Sequence, residues 1–223
     1  MKRPPRKSAF TLIELLVVMG IIIVAFAALV PAVTSLSKSG GRRAARNALL
    51  GGIEQARAEA IRSGEATYVV FPTFTGGAQS TSDRYNYRSY AIFEVIDAAT
   101  GVGKQLTDWK SFPTGVALRA AGTAALSNLP EWHPPPGFTF NPDTSASPVF
   151  RCFQFNSNGE VQAPAANVLL GVFEGYVNSG SEVATTKDGS GNPSAVEYIA
   201  VSQFTGRAVP GDAASTPTPT PGP

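Results

Sequence analysis

The side chains that most often carry enzyme chemistry are scarce in this sequence. Its 223 residues include one histidine, His133, and one cysteine, Cys152. A catalytic triad needs a nucleophile, a base and an orienting group, and His133 lies in a proline-rich stretch without such a set nearby. The sequence contains no metalloprotease, phosphate-loop or dinucleotide-binding motif. We therefore predict that the chain is not an enzyme and that Cys152 is a buried apolar residue rather than a reactive thiol.

Oxygen ligands gather at one place, between residues 182 and 197. Asp188 and Asn192 flank a Gly-Ser-Gly run, with Glu182 before it and Glu197 after it. Calcium prefers carboxylate and carbonyl oxygens, but the spacing departs from that of an EF-hand loop. A cluster of Asp, Gly, Ser and Asn is ordinarily a turn. We predict no cofactor and keep calcium at Asp188 and Asn192 as the minor alternative.

Glu14 is an acid at the start of a long apolar run. The next charged residue is Lys38, so the stretch 15–37 is uncharged. At about 1.5 Å per helical residue, it is long enough to cross a hydrocarbon layer of about 30 Å. A carboxylate costs about 2.5–3.5 kcal/mol at the centre of a membrane helix and less near its end, so Glu14 indicates a partner or a function. The basic residues before the run predict a cytoplasmic N-terminus and an extracytoplasmic remainder.

A cut between Ala9 and Phe10 would give Glu14 a specific partner. Glu14 would then be the fifth residue of the mature chain, about one helical turn from the new α-amino group. In a staggered stack of helices, the ammonium group of one subunit can pair with Glu14 of the next. Such a pair offsets the cost of placing either charge in an apolar environment.

The string AFTLIELLVVMGIIIVAFAALVPA, which begins at Ala9, resembles the processing site and first helix of type IV prepilins. The resemblance implies that a prepilin peptidase removes residues 1–9 and methylates Phe10. It also implies that Glu14 sets the register between subunits and that Pro31 kinks the helix. Ala9 stands where this family usually has glycine.

Two other interpretations of the N-terminus remain open. An ordinary secretory signal would use Ala25-Phe26-Ala27 as its exit, and an ordinary single-pass anchor would need only the apolar stretch. Neither an ordinary signal nor an ordinary anchor accounts for a carboxylate at position 14, near the start of the apolar run. A functional alternative is a membrane-tethered extracytoplasmic binding module that does not polymerise and recognises a ligand through its 130–140 loop.

The helix that positions Glu14 is predicted to run from Phe10 to Ser63. Beyond the apolar run it becomes amphipathic, and we expect Glu54, Arg57, Glu59 and Arg62 on its solvated face. Pro31 and the pairs Gly40-Gly41 and Gly51-Gly52 predict a bent or interrupted rod, and Gly64 predicts its end. The apolar positions at helical spacing are Ala45, Leu49, Ile53, Ala56, Ala60 and Ile61.

The remainder is predicted to consist of strands separated by Gly, Pro, Asn and Asp clusters. Two late strings, 153–161 and 199–208, each predict a strand, a turn containing glycine and a returning strand. They resemble the late hairpins of the minor pseudopilins of type II secretion and of minor pilins. The predicted strands are Thr67–Phe71, Tyr87–Ile96, Gln105–Phe112, Gly115–Arg119, Val149–Phe155, Val168–Phe173 and Ala195–Gln203.

Trp132, His133 and Phe138 surround a run of three prolines. We favour packed aromatic residues under a surface loop, with an exposed recognition site as the alternative. The final Thr/Pro-rich residues cannot fold by burying apolar surface, so they are predicted to be a flexible tail.

Charge is distributed unevenly along the chain. Residues 1–64 hold ten basic and three acidic side chains, whereas residues 65–223 hold eight basic and thirteen acidic ones. An acidic head lacks the basic footprint that binds phosphates, so no nucleic acid is expected as a partner. We expect the basic cluster at 38–46 to meet phospholipid headgroups or neighbouring subunits.

Together these patterns predict an α+β fold in which a long N-terminal helix, transmembrane and then amphipathic, precedes an antiparallel β-rich globular head. The expected divisions are a leader (1–9), an assembly helix (10–64), the head (65–210) and the tail (211–223). The resemblance implies a structural subunit of a type IV pilus-like or type II secretion pseudopilus filament. Its partners would be the prepilin peptidase, the inner membrane and other pilin or pseudopilin subunits in a homo- or hetero-oligomeric filament. The chain would cross the inner membrane once with its head in the periplasm, and join a periplasmic or extracellular filament after assembly.

Overall fold

The computed structural model describes residues 12–73, 85–97, 102–133 and 149–211. For residues 27–39, 96, 97, 102 and 149 it describes the backbone but not the side chains. The chain divides into two compact units, Met1–Gly40 and Gly41–Pro223. Residues 41–63, the last part of the helix, therefore belong to the same unit as the strands.

One helix, α1, extends from Leu12 to Ser63 without interruption. It ends at Gly64, which has a φ of +76° and donates its N–H to the carbonyl of Ala60 at 3.0 Å. This is the left-handed conformation that glycine adopts just beyond a helix, so the predicted end is confirmed. Because the side chain of Pro31 is not described, the kink at this residue stays a prediction.

Twelve strands follow the helix in the described residues. They are β1 (Thr67–Thr73), β2 (Ser89–Asp97), β3 (Val102–Gln105), β4 (Lys110–Ser111), β5 (Val116–Leu118), β6 (Glu131–Trp132), β7 (Val149–Phe155), β8 (Val161–Ala163), β9 (Val168–Asn178), β10 (Ser181–Ala184), β11 (Val196–Val201) and β12 (Ala208–Gly211).

The strands form two antiparallel sheets. The first has the order β3-β2-β1-β7-β6, with β4 paired to β2 and β8 paired to β7. The second has the order β10-β9-β11-β12, with β5 paired to β9. An N-terminal helix followed by an antiparallel β head confirms the predicted α+β class.

Six of the seven predicted strands form at their predicted positions, with bounds that differ by a few residues. β7 has the predicted bounds, and both late hairpins form with left-handed glycines in their turns, Gly159 at φ +84° and Gly206 at φ +62°. The single strand predicted over 105–112 is wrong, because β3 ends at Gln105 and β4 begins at Lys110. β6 and β10 were missed, since two to four residues carry too little pattern to be recognised.

The main core lies between the second half of α1 and the sheets. Five of the six predicted helix positions are completely buried: Ala45, Leu49, Ile53, Ala56 and Ala60. They share one apolar cluster with residues of both sheets, among them Phe71, Phe153 and Phe173. Ile61, the sixth of these apolar positions, is 48% exposed, so the buried stripe of the helix ends at Ala60. Each large side chain buried here contributes about 1.5–3 kcal/mol, which fixes the helix on the head.

A second apolar cluster includes the residues that alternate with the core residues of β1, β2 and β7. Its buried members are Val70, Ala91, Phe93, Trp132, Phe150 and Cys152. The rings of Trp132 and Phe93 lie 4.7 Å apart, and those of Trp132 and Phe150 lie 5.5 Å apart. The predicted packing of Trp132 is therefore confirmed, while His133 is exposed and Phe138 lies outside the described residues. Burial raises the pKa of the Cys152 thiol to about 12, which agrees with the prediction that Cys152 is buried rather than reactive.

Gly52 lets β2 approach the helix closely. A Cβ at Gly52 would lie 2.6 Å from the hydroxyl oxygen of Tyr90 and 2.7 Å from its ring carbon Cζ. The same hydroxyl donates a hydrogen bond to the Ala48 carbonyl at 2.7 Å. Gly51, its neighbour in sequence, has no such contact, since a Cβ there would meet nothing within 4 Å. Of the two adjacent glycines, packing in the head therefore requires only Gly52.

Candidate assembly surface and helix anchor

The predicted processing site, Ala9 and Phe10, lies outside the described residues. The first residues that the structure describes are those of the apolar helix beginning at Leu12. Cleavage between Ala9 and Phe10 and methylation of Phe10 therefore stay predictions.

The segment 12–26 of α1 exposes apolar side chains on every face of the helix. Leu12 is 82% exposed and Val24 71%, and the segment includes ten more exposed large apolar side chains, from Ile13 to Phe26. Exposed apolar surface of this extent marks contact with a membrane or with other protein chains. Because the apolar residues surround the helix, the pattern favours a helix enclosed on all sides rather than one lying on a surface.

Glu14 is an exposed carboxylate within this apolar segment. It is the one charged residue between Leu12 and Phe26. No helix within the described part of the chain has a stretch long and apolar enough to span a membrane. The second half of the predicted span falls on residues 27–39, whose side chains lie outside the description.

Two ion pairs join the second unit's part of α1 to the second sheet. Arg42 Nη1 lies 2.9 Å from Glu174 Oε2 of β9, and Arg46 Nη1 lies 2.6 Å from Glu197 Oε2 of β11. Arg42 and Arg46 are four residues apart, so they project from one face of the helix. Their partners lie on neighbouring strands, because Glu197 is opposite Val172 of β9.

This pairing corrects the role predicted for two members of the basic cluster at 38–46, Arg42 and Arg46. The side chains of Arg42 and Arg46 are only 15% and 22% exposed, and each forms an ion pair with a glutamate of the head. Arg43 is 69% exposed and lies 3.9 Å from Glu197, so it is the most accessible of the three arginines. Part of the excess of acid in the head therefore balances the excess of base in the helix within one chain.

The predicted solvated face of the helix also needs a correction. Glu59 and Arg62 do form an exposed ion pair, in which the hydrogen bond from Arg62 lowers the pKa of Glu59. Glu54, in contrast, accepts a hydrogen bond from the Ala208 N–H at 2.9 Å. Arg57 packs against both late turns: a Cβ at Gly159 would lie 3.3 Å from its Nε, and one at Gly206 would lie 3.1 Å from its Cδ. Glu54 and Arg57 therefore hold the late hairpins on the helix.

The structure does not bring the candidate calcium ligands between residues 182 and 197 together into one site. Asp188 Oδ1 accepts hydrogen bonds from the backbone N–H groups of Ser190 and Asn192, both at 2.9 Å, and so closes a turn. Glu182 pairs with Arg119 at 2.8 Å and also accepts the N–H groups of Ala120 and Ala121. Glu197 is paired with Arg46. Among the residues that the structure describes, no three His, Cys, Asp or Glu side chains are grouped closely enough to hold a metal ion.

Sequence reasoning missed the residues that anchor the helix: Glu174, Glu197, Tyr90 and Gly52. The separate charge excesses of the two parts of the chain were a signal for complementary pairing. They did not say which arginine meets which glutamate, because the partners are more than 130 positions apart in sequence.

Two protein-family models match the chain. Residues 4–30 match the prokaryotic N-terminal methylation motif, and residues 45–189, more than half of the chain, match the type II transport protein GspH. No curated protein sequence matches significantly.

Similar solved structures include the type IV minor pilin FimU of Pseudomonas aeruginosa and the minor pseudopilin EpsH from the type 2 secretion system of Vibrio cholerae. FimU is 13% identical, with a TM-score of 0.41 over 78% of this chain and 90% of its own. EpsH is 10% identical, with a TM-score of 0.38 over 78% of this chain and 98% of its own.

Proposed function

Since the chain belongs to the type II transport protein GspH family and is a subunit of a pilus or pseudopilus, we propose that it is cut between Ala9 and Phe10 and joins its filament through Glu14. The observation that carries this proposal is the exposed carboxylate of Glu14 within a helix segment that is otherwise apolar on all faces. The family points to a structural role rather than to catalysis.

The first proposed step is processing by a prepilin peptidase. Hydrolysis of the Ala9–Phe10 peptide bond leaves a carboxylate on Ala9 and an α-amino group on Phe10. The enzyme then transfers a methyl group from a sulfonium methyl donor to this amine, with release of a proton. The matched methylation motif covers residues 4–30 and therefore includes Ala9, Phe10 and Glu14. Before assembly the subunit stays in the inner membrane as a single-pass protein, with its head in the periplasm.

The second proposed step is assembly into a filament. The exposed apolar segment then exchanges lipid for the helices of neighbouring subunits, which keeps its apolar surface out of water. The new N-terminal ammonium group of one subunit pairs with Glu14 of the next. A carboxylate in apolar surroundings is costly without a partner, so this pair favours one register over the others.

We propose that the head is held rigidly on the last part of α1. Burial of Leu49 and Ile53, together with the Arg42–Glu174 and Arg46–Glu197 pairs, fixes the head on residues 41–63 of α1. Displacing the helix from the head would break both ion pairs and expose this apolar surface.

Mass spectrometry of the mature N-terminus tests the proposal. The chain is expressed with and without its matching prepilin peptidase, alongside Ala9→Gly and Ala9→Asp variants. We expect the wild type and Ala9→Gly to begin with methylated Phe10, and Ala9→Asp to keep its leader because a charged side chain replaces a small one. An intact leader in the wild type, or a cut after Ala27, would contradict the proposal.

A further inference from the structure

A cleft opens on the second sheet, where β5 begins beside β9. It has a volume of about 410 Å³, and its lining includes Arg88, Thr114, Gly115, Gly175, Tyr176 and Thr185. This volume lies within the range of about 300–1,000 Å³ typical of sites for small ligands. None of these residues belongs to the helix or its anchor.

Two glycines, Gly175 of β9 and Gly115 just before β5, form part of the cleft's lining. The N–H of Gly175 donates to the carbonyl of Gly115 at 2.8 Å, so the two residues are directly paired. A Cβ at Gly115 would meet nothing within 4 Å, and Gly115 has a φ of +80°. At Gly175 the missing side chain makes room for β10, because a Cβ there would lie 2.9 Å from the Cα of Ala184. Of the two glycines, Gly115 is therefore the one that leaves the backbone open to a ligand.

The walls offer one aromatic ring and several polar groups. Tyr176 is 51% exposed and lies opposite Val183 on the adjacent strand. The guanidinium of Arg88 donates to the carbonyls of Val116 at 3.2 Å and Pro113 at 3.3 Å, which orients it at the cleft. Thr114 and Thr185 are exposed, and their hydroxyl groups can each donate and accept a hydrogen bond.

These groups exclude two classes of ligand. A nucleic acid needs a row of cations, and Arg88 is the one cation in the described lining. A peptide added as a strand needs open backbone groups, but the Gly175 N–H is bonded to Gly115 and the Glu174 carbonyl to the Thr185 N–H at 3.0 Å.

We propose that this cleft binds a short oligosaccharide, with one sugar ring stacked on Tyr176 and its hydroxyl groups bonded to Arg88, Thr114 and Thr185. A sugar ring combines an apolar face with hydrogen-bonding edges. The cleft combines an exposed ring with polar groups at its rim in the same way. Neutral sugars, and acidic ones that pair with Arg88, fit this chemistry.

The test is binding of the full chain, in a detergent without sugar headgroups, to an array of neutral and acidic bacterial, plant and animal oligosaccharides. We expect binding by the wild type, a loss of about tenfold or more in Tyr176→Ala, and retention in Tyr176→Phe, which keeps the ring. Phe204→Ala is the matched control, because Phe204 is another exposed aromatic residue, 59% accessible and not part of the cleft.

Thermal unfolding of each variant first establishes that the head is folded. Absence of binding by the wild type across the array would overturn the proposal. Equal losses in Tyr176→Ala and Phe204→Ala would overturn it as well. The measurement needs neither cleavage of the leader nor filament assembly, so its outcome is independent of the processing proposal.

Discussion

The guanidinium of Arg46 and the carboxylate of Glu197 lie 2.6 Å apart and join α1 to β11 across 151 positions of the sequence. Both side chains are less than a quarter exposed. A charge-assisted hydrogen bond that is partly shielded from water is stronger than one on an open surface. This contact makes residues 41–63 of the helix a structural part of the head.

Substituting Glu197→Ala should destabilise the head. It leaves Arg46 partly buried without its carboxylate, and we expect the free energy of unfolding to fall by about 1–3 kcal/mol. Urea unfolding of the full chain in detergent micelles, followed by the fluorescence of Trp109 and Trp132, measures the change. Glu59→Ala is the control, because it removes an ion pair from the same helix where water already screens the charges, and it should change little. Equal effects of the two substitutions would contradict the anchoring role of Arg46–Glu197.

Gly51→Ala and Gly52→Ala should have opposite effects on stability. Alanine is a better helix former than glycine by about 1 kcal/mol, and a methyl group at position 51 meets nothing within 4 Å. At position 52 the methyl group would collide with the ring of Tyr90, so the substitution should destabilise by about 1–3 kcal/mol. The urea midpoints of the two variants check the signs, and a stabilising Gly52→Ala would show that β2 does not press on the helix there.

The Cys152 thiol should be unreactive in the folded head. It is buried and its pKa is raised to about 12, so almost no thiolate is present at neutral or mildly alkaline pH. We expect alkylation by iodoacetamide at pH 8 only after unfolding in urea. A Ser190→Cys substitution in a Cys152→Ala background places a thiol at an exposed position and should react within the same time without urea. Rapid alkylation of native Cys152 would contradict its burial.

Alkaline pH should destabilise the head through Tyr90. Burial raises the pKa of Tyr90 from 10 to about 12, so the unfolded chain loses this proton first as pH rises. The stabilisation is complete below pH 10 and is lost between pH 10 and about 12. Tyr90→Phe should be less stable at pH 8 by about 1 kcal/mol, because it lacks the hydrogen bond to Ala48. Its stability should decline less steeply above pH 10, and urea unfolding at a series of pH values tests both expectations.

Replacing Glu14 should block filament assembly and leave the head folded. Glu14→Ala removes the carboxylate that we propose to pair with a neighbour's N-terminus, and Glu14→Gln removes its charge alone. We expect both variants to be processed and stable but absent from sheared filaments, and Glu14→Asp to recover part of the incorporation. Glu65→Ala, a charge removed from an exposed site beyond the helix, should assemble normally. Normal incorporation of Glu14→Ala would contradict the proposed role of Glu14 in assembly, whereas absence of the wild type from filaments would favour the tethered binding module.

Local patterns predicted the elements of the head better than their arrangement. The helix end at Gly64 and the turns at Gly159 and Gly206 depend on a few consecutive residues, and all three form as expected. The placement of Arg57 could not be inferred in this way. It lies on the helix among residues expected to face water, yet it contacts two turns that the sheets bring together from distant parts of the chain.

The sequence by itself determined the helix, its exposed apolar start with Glu14 inside it, and the β-rich head, because each depends on neighbouring residues or on a repeating period. Tertiary structure alone decided that Arg42 and Arg46 form ion pairs with Glu174 and Glu197 rather than face solvent. It also decided that Tyr90 requires glycine at position 52 and that Gly115 pairs with Gly175 in a cleft. These contacts depend on the order and register of strands in two sheets. Many distant pairings set that order together, and no local pattern encodes it.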